Sequence, residues 1–231
     1  MNMRLKILYD NESEDGFVNG WGFSCLVETG NRKIMFDTGW DGNILLYNME
    51  RFGITKEDID TIVISHDHWD HMGGLTHILH PNVKVYVPNS FSRQLKNEIS
   101  QKADVAGTTR LEKIGPDVYT TGEIIGIYKD EPISEQVLIC KTDKGLSVVT
   151  GCAHPGIVSI VDKAVNLFPN QILNTLMGGF HLSKISKKEV EEVFGKLNEY
   201  GFKNYGGTHC TGDFARQFNT FDIAAGSRIE L

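Results

Sequence analysis

A layered α/β architecture is the fold class this sequence predicts. Three observations carry that expectation. Strand-like and helical segments alternate along the whole chain, the apolar runs are short, and no Pro/Ser-rich linker or low-complexity stretch divides the 231 residues. One domain over residues 1–231 is therefore expected.

The elements follow in order. Residues 1–6 run straight into a strand-like pattern. Cys25 to Glu28 and Lys33 to Phe36 read as two strands joined by a turn at Thr29-Gly30-Asn31. Ile44, Leu45, Met49 and Phe52 fall at helical spacing, and Gly53 suits the helix end. Thr55 with Asp58 resembles a capped turn. Thr61 to Ser65 is an apolar run that suits a buried strand, and Val83 to Val87 alternates like another before Pro88. Phe91 to Ile99 is expected to be helical. Short strand-like runs recur from Thr109 to Ser147, including Val137 to Cys140, and another at Leu146 to Thr150. A helix over Ile157 to Phe168 stops at Pro169, and Ile172 to Met177 returns as a strand. Ser186 with Glu189 forms a capping-box pattern that opens a helix through Tyr200, which Gly201 ends. Asn204 to Thr208 is a strand, Phe214 to Phe218 a short helix and Arg228 to Leu231 a last strand.

Composition narrows the function. Hydrophobic residues make up 40% and charged residues 23%, as in a chain that buries a core. The net charge of −7 leaves no basic stripe, which argues against nucleic acid or an anionic membrane surface as partner. No apolar stretch approaches the ~20 residues that span a bilayer, and the beginning of the sequence lacks a secretory apolar region, so a cytoplasmic protein is expected. Four cysteines, Cys25, Cys140, Cys152 and Cys210, are widely spaced and read as reduced thiols. Cys152 and Cys210 lie beside histidines, and small buried packing residues are the simpler expectation for both.

The chemistry concentrates at His66-Asp67-His68-Trp69-Asp70-His71, directly after the apolar strand. In extended chain His66 and His68 project to one side and can share a metal. At the following turn Asp70 and His71 can face a neighbouring position. Imidazole and carboxylate together are a set that zinc, iron and manganese accept. Two histidines do not complete a site, so further ligands must come from distant sequence. His154, His181 and His209 each follow a strand among glycines, where sites are assembled. His77 and His80, in the helix expected after the cluster, read as structural or exposed.

With these residues in place, the sequence resembles the metallo-β-lactamase superfamily. The likeness spans Asp37 in Phe-Asp-Thr-Gly, the 66–71 cluster, His154 and His209. It implies a four-layer αββα sandwich with mixed sheets and one or two divalent metal ions, zinc first, with iron, manganese or magnesium as the other choices. His66, His68 and His154 would hold the first metal. Asp70, His71 and His209 would contribute to the second, and Asp37 would be the acceptor that orients the cluster. The family's usual bridging aspartate has no counterpart in Leu176-Met177-Gly178-Gly179-Phe180-His181. The number of metals is therefore open, and so is His181, as ligand or as substrate contact. A narrower resemblance rests on Trp21-Gly22-Phe23-Ser24, Thr-Gly-Cys-Ala-His-Pro-Gly, Gly-Gly-Phe-His-Leu and Thr-His-Cys-Thr-Gly. It is to the 7,8-dihydropterin-6-ylmethyl-4-(β-D-ribofuranosyl)aminobenzene-5′-phosphate synthase branch. That implies condensation of a dihydropterin-methyl diphosphate with a ribosyl-aminobenzene phosphate and release of pyrophosphate.

The expected function is that of a metal-dependent hydrolase or pterin-type transferase acting on a phosphorylated, ester or lactone small molecule. Asp70 and His181 are the candidate catalytic residues, Asp70 orienting an attacking water and His181 giving a proton to substrate oxygen or phosphate. Trp21, Trp40 and Trp69 offer faces for a flat ring, with ordinary packing the simpler expectation for each. The polar segment Asn11 to Gly20 is either a lid near the metals or a plain exposed loop. Two other classes stand beside the enzyme reading. One is a non-catalytic metal- or ligand-binding sensor, against which the intact ligand set argues. The other is a diiron redox protein, where the resemblance implies a carboxylate at the position of His68.

Overall fold

The computed structural model describes residues 3–231. The strands are β1 (Met3–Tyr9), β2 (Ser24–Thr29), β3 (Arg32–Phe36), β4 (Thr61–Val63), β5 (Lys84–Pro88), β6 (Asp104–Thr108), β7 (Glu112–Gly115), β8 (Val118–Thr120), β9 (Ile124–Tyr128), β10 (Glu131–Glu135), β11 (Leu138–Thr142), β12 (Gly145–Thr150), β13 (Leu173–Gly179), β14 (Asn204–Thr208) and β15 (Arg228–Glu230). The helices are α1 (Gly42–Arg51), α2 (Trp69–Met72), α3 (Leu75–Ile78), α4 (Arg93–Ser100), α5 (Ile157–Leu167), α6 (Lys187–Tyr200) and α7 (Asp213–Arg216).

They form two main sheets and a separate β9–β10 hairpin. A seven-stranded sheet runs β15-β1-β2-β3-β4-β5-β6 and a six-stranded one runs β14-β13-β12-β11-β8-β7. Both are mixed. β3 through β6 are parallel in the first, β12 through β14 are parallel in the second, and the remaining pairings are antiparallel.

The layering follows from period-two burial on strands that are apolar on both faces. On β3, Ile34 and Phe36 enter the core between the sheets while Met35 faces the helices beyond. On β11, Leu138 and Cys140 face inward and Ile139 outward. Three apolar clusters result, one between α1, α3, α4 and the first sheet, one between the sheets, and one between the second sheet and α5 and α6. Three buried interfaces separate four layers, so the molecule is an αββα sandwich.

Most expected elements stand within two residues of their sequence positions. α6 carries the Ser186–Glu189 capping box and ends on Gly201 at φ +78°. The helix expected from Phe91 starts two residues later because Ser92 caps it, accepting from Leu95 N at 3.2 Å. β6 was not foreseen, since Asp-Val-Ala-Gly-Thr lacks an apolar alternation and owes its form to pairing with β5. The helix expected to hold both His77 and His80 is two short ones, and His80 lies beyond α3. It is buried, with Nε2 3.1 Å from Ile59 O. Among the described residues no helix is long and apolar enough to cross a membrane.

Candidate metal centre

Every histidine of interest except those in the 66–71 cluster follows a different parallel strand. Asp37 follows β3, Ser65 to His71 follow β4, Cys152 and His154 follow β12, His181 follows β13 and His209 follows β14. The carboxyl ends of parallel strands are where α/β sheets expose ligand-binding loops, and here ends from both sheets meet. Asp37, Ala153, His181 and His209 hold φ between +52° and +63°. A non-glycine residue in that region costs about 1–3 kcal/mol, a strain that persists where the surroundings dictate the conformation.

The first group is His66, His68 and His154, with ring centroids 4.7–4.8 Å apart. His154 Nε2 lies 3.1 Å from His68 Nδ1. Ser65 Oγ donates to Asp37 Oδ2 at 2.7 Å, so it can only accept from His66 Nδ1, 2.8 Å away. That fixes the His66 proton on Nδ1 and leaves a bare lone pair on Nε2. Burial, then the surrounding imidazoles, hold His66 well below its ordinary pKa. Burial pushes His154 down to about 3, with His181 and His68 adding to it.

The second group is Asp70, His71 and His209. His71 Nδ1 donates to Asp37 Oδ2 at 2.7 Å, and its Nε2 lies 3.2 Å from Cys152 Sγ. His209 Nδ1 lies 3.1 Å from Asn11 Oδ1, and Asn11 Nδ2 donates to His209 O at 3.1 Å. His209 Nε2 approaches Asp70 Oδ2 to 3.2 Å without hydrogen-bond geometry. Burial opposes a charge on His71, but the carboxylate of Asp37 prevails and raises it to about 9. Burial likewise opposes charge on Asp70, yet contact with His209 and the field of His71 hold its carboxyl below the usual range.

Whether a metal fits is decided by atoms that the protein leaves unpaired. His66 Nε2, His154 Nδ1, His181 Nδ1 and His209 Nε2 are buried without a hydrogen-bond partner among the described residues. Buried polar groups are nearly always paired. On His66 and His209 the other ring nitrogen is already engaged, so the free lone pair has a set direction. Nitrogen donors with one carboxylate match a zinc-type donor set. The donor atoms of His66, Cys152 and His154 lie within 4.8 Å of one another, as do those of His71, Cys152 and His209, and those of Cys152, His181 and Cys210.

His181 sits beside the first group, its ring 4.5 Å from His154 and 6.0 Å from Tyr128. Contact with Cys210 raises its pKa against the effect of burial. The site opens into a cleft of about 450 Å³ lined by Trp21, Trp40, Trp69, Tyr128, Lys129 and Lys184 as well as the histidines. The three indoles are 51–57% exposed, so ordinary packing, the simpler expectation for each, does not describe them. The Asn11–Gly20 segment is a mostly exposed loop that is tethered at several points. Backbone bonds tie Glu14 N to Ala225 O and Gly20 N to Asp10 O, and Asn11 grips His209. It is a brace.

Several contributors were not read from the sequence. Ser65 adjoins the cluster, and a hydroxyl beside a candidate ligand histidine was a signal in plain view. Glu135 gave none. Its buried carboxylate accepts from Cys152 N at 3.0 Å, Ala153 N at 2.8 Å and His154 N at 2.8 Å, and so shapes the His154 loop from the end of β10. Cys152, expected to be a small buried residue packed beside the site, is buried among the histidines, its thiol pushed up by burial and by the neighbouring Cys210 sulfur.

This geometry has relatives. A synthase of Methanocaldococcus jannaschii, 7,8-dihydropterin-6-methyl-4-(β-D-ribofuranosyl)-aminobenzene-5′-phosphate synthase, is 30% identical over 240 aligned positions, which cover 83% of this chain and 81% of the relative. An exodeoxyribonuclease, WalJ, of Streptococcus pneumoniae is 22% identical over 78% of this chain and 70% of its own. The crystal structure of a metal-dependent hydrolase of the β-lactamase superfamily superposes with a TM-score of 0.83, at 28% identity and 99% coverage of both chains. The metallo-β-lactamase superfamily pattern matches residues 22–158, well over half of the sequence. With that match, the αββα layers and the synthase likeness together, the chain belongs to the metallo-β-lactamase superfamily.

Proposed function

We propose that this chain works as one domain and as a metal-dependent enzyme, a hydrolase or group transferase whose substrate is a small phosphorylated molecule carrying a flat ring. The observation that carries this reading is the set of unpaired, buried imidazole nitrogens at the floor of a cleft rimmed by three half-exposed indoles. The pterin phosphate chemistry in the name of the M. jannaschii relative supports the choice of ring and phosphate. The net charge of −7 and the absence of a basic stripe support a small molecule over a nucleic acid chain.

In this reading His66, His68 and His154 hold one divalent ion, and Asp70, His71 and His209 hold a second. Zinc is the first choice by donor type. The ions supply Lewis acidity, which serves water activation and the neutralisation of a diphosphate leaving group equally. The remaining work falls to the protein. Asp37 fixes His71 directly and His66 through Ser65, so both rings are oriented before any ion arrives. Asn11 does the same for His209. Asp70 keeps its negative charge at neutral pH and can orient an attacking hydroxyl. His181 holds a proton at its ring nitrogen and gives it to the departing oxygen. The indoles stack the ring and keep water from it, while Lys129 and Lys184 meet phosphate at the rim.

The test supplies dihydropterin-methyl diphosphate to the metal-loaded protein with and without a ribosyl-aminobenzene phosphate. Pyrophosphate released only with both, alongside a coupled product, establishes transfer. Release without the acceptor establishes hydrolysis. Inertness toward it and toward a panel of phosphoesters and lactones, in protein shown to carry metal, overturns the enzyme reading in favour of a sensor.

A further inference from the structure

Two groups of donors that each await a cation favour negative charge on the atoms between them, and Asp70 is the one carboxylate among the six candidate ligands, Asp37 and Glu135 being spent on hydrogen bonds behind them. The first group, His66, His68 and His154, has no carboxylate of its own. The wall beside it, at the end of β13, has no room for one. A Cβ on Gly178 would lie 2.1 Å from Thr150 O, and one on Gly179 would lie 2.4 Å from Gly151 O and 2.7 Å from Cys210 Sγ. Sulfur already fills that space.

Cys152 is the residue common to both groups. Its Sγ lies within 4.8 Å of the donor atoms of His66 and His154 on one side and of His71 and His209 on the other, and 3.2 Å from His71 Nε2. The unpartnered Nε2 atoms of His66 and His209 lie in these same two groups. The placement of the sulfur is enforced. Glu135 binds the backbone N–H groups of Cys152, Ala153 and His154, and Ala153 is held at φ +63°, so the loop presents Cys152 and His154 together. Cys25 and Cys140, by contrast, lie in the apolar core between the sheets.

We propose that Cys152 is a metal ligand shared by the two positions, its sulfur bridging them as thiolate. Resting on the metal-dependent reading above, it adds a residue and a metal preference to it. The S–H proton leaves to solvent as the metal–sulfur bonds form. A soft sulfur between nitrogen donors selects zinc, and equally iron or cobalt, over magnesium and manganese.

Zinc-edge X-ray absorption on the native, zinc-loaded protein reads this directly. The expected spectrum needs a sulfur scatterer at ~2.3 Å beside nitrogen and oxygen at ~2.0–2.1 Å. Cys152→Ser should abolish the sulfur shell and weaken zinc binding at least 10–100-fold, on the order of what loss of a single supporting contact to a ligand costs. Cys210→Ser should keep the shell, and that variant alone assigns the sulfur if Cys152→Ser fails to fold, since no other cysteine lies at the site. Magnesium in excess should not displace the zinc. A shell of nitrogen and oxygen only, in protein that retains zinc, overturns the role of Cys152 and leaves the metal reading intact. A sulfur shell that survives Cys152→Ser and vanishes in Cys210→Ser also overturns it. Protein that retains no zinc overturns both.

Discussion

The two halves of the candidate metal centre are built to different standards of rigidity. In the second group, both histidines have their far nitrogen engaged, His71 by Asp37 and His209 by Asn11. Each ring therefore has one orientation. In the first group only His66 is fastened this way, through Ser65. His68 and His154 contact each other at 3.1 Å and flank Tyr128. A braced half suits holding an ion permanently, and a freer half suits rearranging as substrate arrives.

Substitutions can break or sharpen that contrast. The largest effect is expected from His66→Ala combined with His68→Ala. Metal analysis should show loss of the ion of the first group, and turnover should fall on the order of 10³-fold, the rate equivalent of several kcal/mol of charge stabilisation. Asp37→Asn comes next. Its carboxylate serves both halves, so affinity for both ions should drop by about 10–100-fold in a chelator titration. Asn11→Ala touches only His209 and should weaken one ion by the lower end of that range. Equal weakening of both ions by Asn11→Ala would mean that the halves are one unit.

Smaller effects concern the frame. Glu135→Gln sets an amide N–H₂ against a backbone N–H and should cost about 1–3 kcal/mol. The melting temperature should fall by roughly 2–4 °C for each kcal/mol in a chain of this size. Acid should expose the first group in the metal-free protein. His154 is held at about 3 against an ordinary 6.5, so between those values the unfolded chain binds more protons than the folded one, and stability must decline as pH falls through that window. Urea midpoints at pH 7 and pH 4 check this, and no decline would mean that the rings are not held neutral. The smallest effect is at the rim. Lys184→Ala should raise KM for a phosphorylated substrate by roughly 3–10-fold with kcat kept, and added salt should shrink the difference.

What the sequence disclosed was whatever is written locally. His66, His68, Asp70 and His71 are adjacent, and His154, His181 and His209 each follow a strand among glycines, so the ligand candidates and the layered α/β class could be read before any coordinates. The braces could not. Asn11 acts on a histidine 198 residues away, and Glu135 looks like any polar residue at the end of an alternating strand. Gln136 gives the same lesson. Buried, it donates to Ile64 O and Tyr86 O and accepts from Thr108 and Thr120, joining the sheets by contacts that no short pattern encodes. Cys152 was legible in position, but its role was not, because a small buried thiol suits packing and coordination alike.

The grip of Asn11 on His209 also sets a timetable. A ribosome adding ~5–20 residues per second needs roughly 10–40 s to deliver the second partner after the first. Until then the His71 half of the site faces an open side, whereas His66, His68 and His154 have all emerged some fifty residues of synthesis earlier, in the same estimate roughly 3–11 s before. An ion captured on the nascent chain would meet the half with the weaker brace first. In the two-ion reading proposed above, metal supplied after release meets both halves already assembled, once the earliest and latest parts of the chain have met.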